Sequence, residues 1–152
     1  MKARLAASIA LLVLCACNAA PPPLSAADVQ QFVRDYVAAN NAGDPTKVMS
    51  MVLHDASASS ISGGKIDRGW EAIQVSAAGN VERRQQKIEL QSIEVTPLSA
   101  DTAVAVGTLN LRGTYHIGNM VLDTLPGALT IVVKRTPEGL RLVHEHYSIR
   151  TK

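Results

Sequence analysis

The residues with the clearest potential for chemistry stand near the end of the chain, in the segment 140–148. His144 and His146 are separated by a single residue there. Side chains two apart on a strand point to one face, so the spacing predicts that both histidines share a face with Leu142 and Ser148. An imidazole titrates near neutral pH, so either histidine could act as a general base or orient a ligand at the floor of a pocket.

Two other interpretations of this pair stay open. One histidine could be a hydrogen-bonded structural residue while the other lies near the rim of a pocket. Two imidazoles could also share a metal ion, but such a site needs a further ligand from elsewhere in the chain. The sequence therefore predicts no metal site, and it predicts no cofactor.

Further candidate ligand contacts are spread along the chain. Tyr115 lies in a predicted strand, where core packing with its hydroxyl at a cavity would make it a hydrogen-bond donor. Tyr36 lies on the first predicted helix, and Trp70 begins the third as a packing anchor. Asp55 is typical of a turn residue, with a role in the pocket as the alternative. The candidate ligand-binding residues are thus Tyr36, Asp55, Trp70, Tyr115, His144, His146 and Ser148.

The first residues predict export. Lys2 and Arg4 are followed by an uncharged apolar run that is too short to span a bilayer. The run ends in Leu14-Cys15-Ala16-Cys17, which resembles the lipobox of bacterial lipoproteins. The resemblance implies a signal peptide over 1–16, a lipidated Cys17 with a Pro-rich tether over 17–24, and one domain over 25–152.

That processing would place the domain in the cell envelope, anchored through lipid on the periplasmic side. Residue 18, which follows the lipidated cysteine, is Asn. In the bacterial lipoproteins that the lipobox resembles, an Asp at this position favours the inner membrane, so Asn18 favours the outer membrane. Loss of Lys2 and Arg4 lowers the basic count from 15 to 13, against 13 acidic residues. A neutral domain without a basic cluster does not have the charge pattern of a nucleic-acid-binding protein.

The remaining pattern predicts an α+β fold. Apolar residues at helical spacing indicate one helix from Ser25 to Gly43 and a second that starts at Asp44-Pro45. Gly63-Gly64 predicts a hairpin turn before the third helix, and four long strands follow. A slip in alternation at Gln91-Ser92 predicts a bulge, and Pro126-Gly127 predicts an interruption within the third of these strands, which continues from Leu129 to Arg135. The expected order is ααββαββββ: three helices on a strongly curved, mostly antiparallel sheet that forms a cone-shaped barrel around a cavity.

Three segments resemble nuclear transport factor 2-like proteins. They are the first-helix ending over 36–44, the hairpin and third-helix start over 63–73, and the last strand over 139–148. The last segment resembles the SnoaL-like branch, in which the residues matching His146 and Ser148 belong to a recurrent strand ending. The resemblance covers about Ser25 to Ile149 and implies the cone-shaped fold. It does not fix a function, since the family includes isomerases, dehydratases, cyclases, immunity proteins and association domains.

Three functions remain as expectations. The first is a non-catalytic, membrane-tethered domain that binds a small apolar or amphipathic ligand in its cavity, or associates through its sheet with a second copy, as a homodimer, or with another protein. The second is a proton-transfer enzyme of the isomerase, cyclase or dehydratase type, with His144 or His146 as base and Tyr115 as hydrogen-bond donor. The third is an envelope immunity or assembly protein that acts through its surface. An open cavity would favour the first two, and a filled one the third.

Overall fold

The computed structural model describes residues 22–81, 86–117 and 120–150, except for the side chains of 80–81 and 114–122. Residues 1–16, Cys17 and most of the tether therefore lie outside the described residues. The helices are α1 (Ala26–Ala42), α2 (Pro45–Met51) and α3 (Trp70–Val81). The strands are β1 (Ser59–Ser62), β2 (Lys65–Arg68), β3 (Lys87–Pro97), β4 (Thr102–Ile117), β5 (Met120–Thr136) and β6 (Gly139–Ile149). This order confirms the predicted ααββαββββ arrangement.

Both ends of α1 are fixed by the residues that predicted them. The Ser25 hydroxyl accepts a hydrogen bond from the backbone N–H of Asp28 at 3.0 Å, which satisfies a donor that the first turn leaves open. Gly43 follows the helix with φ of 69°, the left-handed conformation that glycine adopts without steric cost. Asp44 then caps α2 by accepting from the Lys47 N–H at 2.8 Å. The chain consequently passes from the first helix to the second within two residues.

All six strands join one sheet in the order β2-β1-β6-β5-β4-β3. Every pairing is antiparallel except that of β1 with β6, which is parallel. The parallel pair forms because the chain passes from the short β1–β2 hairpin through α3 to the far edge of the sheet before returning. This topology brings the β1–β2 hairpin beside the last strand, under α3.

The sheet curves where β3 carries an extra residue. The pairing of β3 with β4 shifts between Leu90 and Ser92, which confirms the predicted bulge. Gly107 lies next to it, and a Cβ atom at that position would be 2.4 Å from the Ser92 carbonyl oxygen. Only glycine allows the two strands to approach so closely at the bend.

The predicted break at Pro126-Gly127 is wrong, because β5 runs through both residues without interruption. The Pro126 carbonyl accepts from the Arg150 N–H at 2.9 Å, just beyond the end of β6. The N–H and C=O of one strand residue point to the same neighbour. A residue with an N–H at position 126 would donate it toward β6, at the point where β6 ends. The proline therefore removes no hydrogen bond from the interior of the sheet, and it is tolerated there as it would be on an edge strand.

The core lies between the concave face of the sheet and the helices. Ile131, Val133 and Leu142 are fully buried on the sheet, and Val29 and Val33 of α1 belong to the same buried cluster. Removal of its apolar surface from water lets each such side chain contribute about 1.5–3 kcal/mol to the stability of the folded state. Within the described ranges, no helix has the length and apolar character needed to cross a bilayer.

The end of the tether is part of this core. Leu24 is 4% exposed and belongs to the buried cluster, although it precedes the predicted start of the domain. Just before it, the Pro22 carbonyl accepts a hydrogen bond from the Arg135 guanidinium at 2.7 Å. The folded unit therefore starts at least at Leu24.

Candidate functional site

A cavity of about 370 Å³ lies between α1, α2, α3, the β1–β2 hairpin and β6. Its walls combine apolar side chains, among them Val48 and Ile73, with polar ones. Three of the polar side chains, Tyr36, Ser60 and Glu145, lie together where α1, β1 and β6 meet. The cavity thus has one end that is rich in hydrogen-bonding groups.

Glu145 is the centre of that polar end. It is only 8% exposed, and both oxygens of its carboxyl accept hydrogen bonds from hydroxyl groups. The Tyr36 hydroxyl donates to Oε2 at 2.8 Å, and the Ser60 hydroxyl donates to Oε1 at 2.8 Å. These bonds offset the cost of burying an acidic side chain and hold it in one orientation.

Tyr36 reaches Glu145 because it lies on the apolar face of α1, which packs on the sheet. One turn later, the Asn40 amide donates to the Tyr36 backbone carbonyl at 2.9 Å and lines the same cavity. Burial, followed by the negative charge of Glu145, raises the pKa of the Tyr36 hydroxyl well above its usual range. Tyr36 is therefore a neutral hydrogen-bond donor at any physiological pH.

A bulge in β6 decides which side chains enter the cavity. The pairing with β5 joins Val132 to His144 and Val133 to Leu142, so Val143 is an extra residue on β6. Beyond it, Glu145 stands opposite the fully buried Ile131, and Tyr147 stands opposite the buried Leu129. Since directly paired residues share a face, Glu145 and Tyr147 point inward.

The same bulge turns the two histidines outward. His144 is half-buried, with Nδ1 2.9 Å from the Ser59 hydroxyl oxygen, and His146 is exposed. Neither histidine lines the cavity. The prediction that they share a face with Leu142 is wrong, because the extra residue Val143 breaks the alternation that the prediction assumed.

The other predicted residues are dispersed. The Asp55 carboxylate accepts from the Ser57 N–H at 2.7 Å and is exposed, as a turn residue would be. Trp70 begins α3, its ring centroid lies 4.3 Å from that of His54, and both line a separate surface groove. Ser148 is exposed on the outer face near the end of the sheet. Tyr115 lies in β4, but its side chain is outside the described residues. Of the predicted ligand contacts, the structure brings Tyr36 to the cavity.

The sequence interpretation missed Glu145, Ser60 and Tyr147. A signal for two of them was present, since Tyr147 and Ile149 are apolar residues two apart near the end of β6. Alternation counted backward from Ile149 leads through Tyr147 to Glu145 on the inward face. The count fails only at the bulge, which lies before Glu145. Ser60 is placed by the parallel pairing of β1 with β6, where it stands opposite Glu145, and no local pattern indicates that pairing.

The mouth of the cavity is bordered by the β1–β2 hairpin and α3. The Lys65 ammonium donates to the Ser76 hydroxyl at 2.6 Å and lies 2.9 Å from the Asp67 carboxylate. Burial is the largest single influence on Asp67 and raises its pKa, but hydrogen bonds from Lys65 and Ser76 to the carboxylate and the charge of Lys65 together lower the pKa below its usual value. Val75, also at the mouth, is 74% exposed. The entrance is thus part polar and part apolar.

The cavity offers a buried carboxyl group to whatever enters it. Within 22–81, 86–117 and 120–150, no three or more histidine, cysteine or acidic side chains cluster as a metal centre requires. The buried carboxyl of Glu145 can accept a hydrogen bond from a ligand, or accept a proton from one.

A cone of curved sheet and helices around a part-polar cavity defines the class of nuclear transport factor 2-like proteins. The model of the SnoaL-like domain matches residues 29–152. The chain therefore belongs to the SnoaL-like domain family. No curated protein matches it.

Solved structures agree on the fold. A nuclear transport factor 2-like superfamily protein from Salmonella enterica superposes with a TM-score of 0.70 at 19% identity, covering 83% of this chain and 91% of that one. A candidate dehydratase of the same family from Streptomyces avermitilis gives a TM-score of 0.71 at 20% identity, covering 83% of this chain and 96% of its own. A candidate scytalone dehydratase from Novosphingobium aromaticivorans gives 0.67 at 12% identity, with coverage of 82% and 83%. At these identities the likeness shows the fold alone.

Proposed function

We propose that this chain is a small-molecule-binding domain held at the bacterial cell envelope by an acyl-modified Cys17. The observation that supports binding is the open cavity of about 370 Å³ that ends on the buried Glu145 carboxyl. Its volume falls within the range of about 300–1,000 Å³ that is typical of small-ligand sites. An open cavity also favours this function over that of a protein acting through its surface alone.

The lining defines the kind of ligand. Val48 and Ile73 offer apolar contact, while Glu145 with its two hydroxyl partners offers hydrogen bonding at one end. We therefore expect an amphipathic molecule whose polar end donates a hydrogen bond to the carboxyl. Its apolar part would lie toward the mouth, beside Val75.

Native mass spectrometry of the purified chain tests this function. We expect the wild-type chain to retain a small molecule from the cells that express it. Ser62→Trp should abolish retention, because Ser62 is an exposed residue at the mouth and an indole there would block entry. Thr96→Trp, on an exposed position of β3, is the control and should retain the molecule. A bare wild-type chain, or equal retention by Ser62→Trp, would show that the cavity is not the binding site.

A second candidate function is proton transfer at the same cavity. The specific observation is that Glu145, a carboxyl inside the cavity, is oriented by Tyr36 and Ser60, while His144 and His146 lie outside. Glu145 would then act as the base of an isomerase, cyclase or dehydratase, and Tyr36 as the hydrogen-bond donor. The named dehydratases among the solved structures support this alternative.

The two functions differ in the fate of the retained molecule. A catalyst should convert it, and Glu145→Gln should abolish conversion while some binding remains. A binding domain should return it unchanged, and Glu145→Gln should only lower the affinity. Recovery of a single unchanged mass from the wild-type chain would exclude turnover of that molecule.

The envelope location is tested at the two cysteines near the N-terminus. A radiolabelled fatty acid supplied to expressing bacteria should label the wild-type chain and carry it into the membrane fraction. Cys17→Ala should abolish both, whereas Cys15→Ala is the matched control and should abolish neither. Labelling that survives Cys17→Ala would contradict the anchor.

We also propose that two copies pair through the outer face of the sheet. Val106 on β4 is 49% exposed there, which is unusual for a valine in a central strand. Sedimentation should show a dimer that Val106→Glu converts to a monomer. Leu98→Glu, at a 60% exposed leucine in the β3–β4 turn, is the control and should leave the dimer intact. A wild-type monomer at high concentration would overturn this pairing.

A further inference from the structure

The charged side chains that line the cavity are mostly acidic in the part of the chain that the structure describes. Glu145, Asp67 and Asp44 each contribute a carboxyl group, and Lys65 contributes an ammonium group. Among the described residues of the lining there is no arginine and no histidine. The lining therefore carries an excess of negative charge.

Lys65 does not cancel this excess. Its ammonium lies 2.9 Å from the Asp67 carboxylate and donates to the Ser76 hydroxyl at 2.6 Å. The Lys65 side chain is 67% exposed, whereas that of Asp67 is 14% exposed. The two charges neutralise each other at the mouth, with the ammonium toward solvent. The excess negative charge of the lining thus comes from Glu145 and Asp44.

Glu145 places negative charge at the polar end of the cavity. Tyr36 and Ser60 each donate to one of its oxygens, and hydrogen bonds donated to both oxygens favour the ionised form of a carboxyl group. The cavity wall also includes the buried side chains of Val48 and Ile73, which screen a charge far less than water does. The field of the carboxylate therefore extends into the cavity.

We propose that the ligand of this cavity is an amphipathic amine, with its protonated amino group at the Glu145 end and its apolar part toward the mouth. The inference rests on the proposed binding function and narrows it to one chemical class. An ammonium group supplies the hydrogen-bond donor that this end favours and also the charge that the lining attracts. A carboxylate or phosphate would meet like charge there, and an alcohol would gain only the hydrogen bond.

Three probes with the same octyl chain test the proposal: octylamine, octanol and octanoate. Near neutral pH they are a cation, a neutral molecule and an anion, respectively. Nitrogen-15 NMR titration of the full-length Cys17→Ala chain, which should carry no lipid, measures their affinities without detergent. We expect octylamine to bind about tenfold more tightly than octanol, because hydrogen bonds between charged groups are stronger than neutral ones. Octanoate should bind most weakly.

Two variants test the charge itself. Glu145→Gln keeps the shape of the side chain and should remove most of the preference for octylamine over octanol, with circular dichroism as the check on folding. Ser62→Lys, at an exposed position of the lining, leaves the buried acid in place and should weaken octylamine several-fold while strengthening octanoate. Thr96→Lys, on an exposed position of β3, is the matched control and should change neither affinity.

The outcomes separate the amine class from the binding function. If octanol or octanoate binds as tightly as octylamine, and Ser62→Trp blocks them all, the cavity binds ligands but the amine class is wrong. A preference for octylamine that survives both Glu145→Gln and Ser62→Lys would also overturn the proposal. If none of the three probes binds, the binding function and the amine class both fail.

Discussion

At the scale of single residues, the buried acid Glu145 depends on two hydroxyl groups from distant parts of the chain. Tyr36 is 109 positions away and Ser60 is 85 positions away. A buried polar group that loses a partner retains its desolvation cost without compensation. The cavity end is therefore held together by hydrogen bonds that form only in the folded chain.

Removing the Tyr36 hydroxyl should destabilise the fold. We expect Tyr36→Phe to lower the free energy of unfolding in urea by about 1–3 kcal/mol, because Glu145 loses a donor in a buried setting. Gln31→Ala, on the exposed face of the same helix, is the control and should change it by no more than about 0.5 kcal/mol. If Tyr36→Phe leaves the free energy of unfolding unchanged, another group donates a hydrogen bond to Glu145 in place of the phenol.

His144 should make stability depend on pH. Burial and the nearby His146 lower its pKa in the folded state below the unfolded value of 6.5. The unfolded chain therefore binds the proton first as the pH falls, and the stabilisation present above about pH 6.5 is lost below it. His144→Asn should lose less stability than the wild-type chain between about pH 7.5 and about pH 5.5 in urea titrations. Equal slopes for the two chains would contradict the lowered pKa.

At the scale of elements, irregularities in the strands shape the site. The bulge in β3 accompanies a close approach between Ser92 and Gly107, and the bulge in β6 sends Glu145 inward and the histidines outward. Each inserts one residue, and each changes both the curvature and the alternation of the strand that carries it. The cone is a consequence of such bends.

Two glycines should respond to alanine with opposite signs. Gly107→Ala should lower the free energy of unfolding by about 1–3 kcal/mol, because the new Cβ would overlap the Ser92 carbonyl oxygen. Gly79→Ala should raise it by about 0.5–1 kcal/mol, because Gly79 lies within α3 and nothing lies within 4 Å of the added methyl group. Chemical denaturation measures both changes. If Gly107→Ala leaves the free energy of unfolding unchanged, β3 and β4 can move apart at the bulge without loss of stability.

At the scale of the whole molecule, the packed core includes Leu24, the residue just before the predicted start of the domain at Ser25. Leu24 packs in the core and Pro22 is held by Arg135, so the end of the tether is docked on the sheet. If Cys17 is lipidated, only a few residues separate the lipid from this point. The docked end would then hold the domain close to the membrane surface.

Truncating Leu24 should reveal its contribution. We expect Leu24→Ala to lower the free energy of unfolding by about 2–5 kcal/mol, the usual cost of such a cavity in a core. Leu98→Ala, at a 60% exposed position, is the control and should change the free energy of unfolding by no more than about 0.5 kcal/mol. The midpoint of urea denaturation reports both, and a harmless Leu24→Ala would place the boundary at Ser25.

The sequence by itself determined the elements and their order. Ser25, Gly43 and Asp44 act within a few residues of their own positions, so the helix ends could be read from local patterns. The glycine pair at 63–64 and the slip at Gln91-Ser92 are also local signals, and both were predicted at the right place. The segments that resemble nuclear transport factor 2-like proteins then indicated the cone.

Only the tertiary structure decided which side chains enter the cavity. The bulge at Val143 becomes visible in the pairing of β6 with β5, and Ser60 meets Glu145 through a parallel pairing between distant strands. Pairing register depends on contacts across the whole sheet, and a shift of one residue moves every later side chain to the other face. Local periodicity therefore pointed to His144 and His146, while the folded sheet turned Glu145 toward Tyr36.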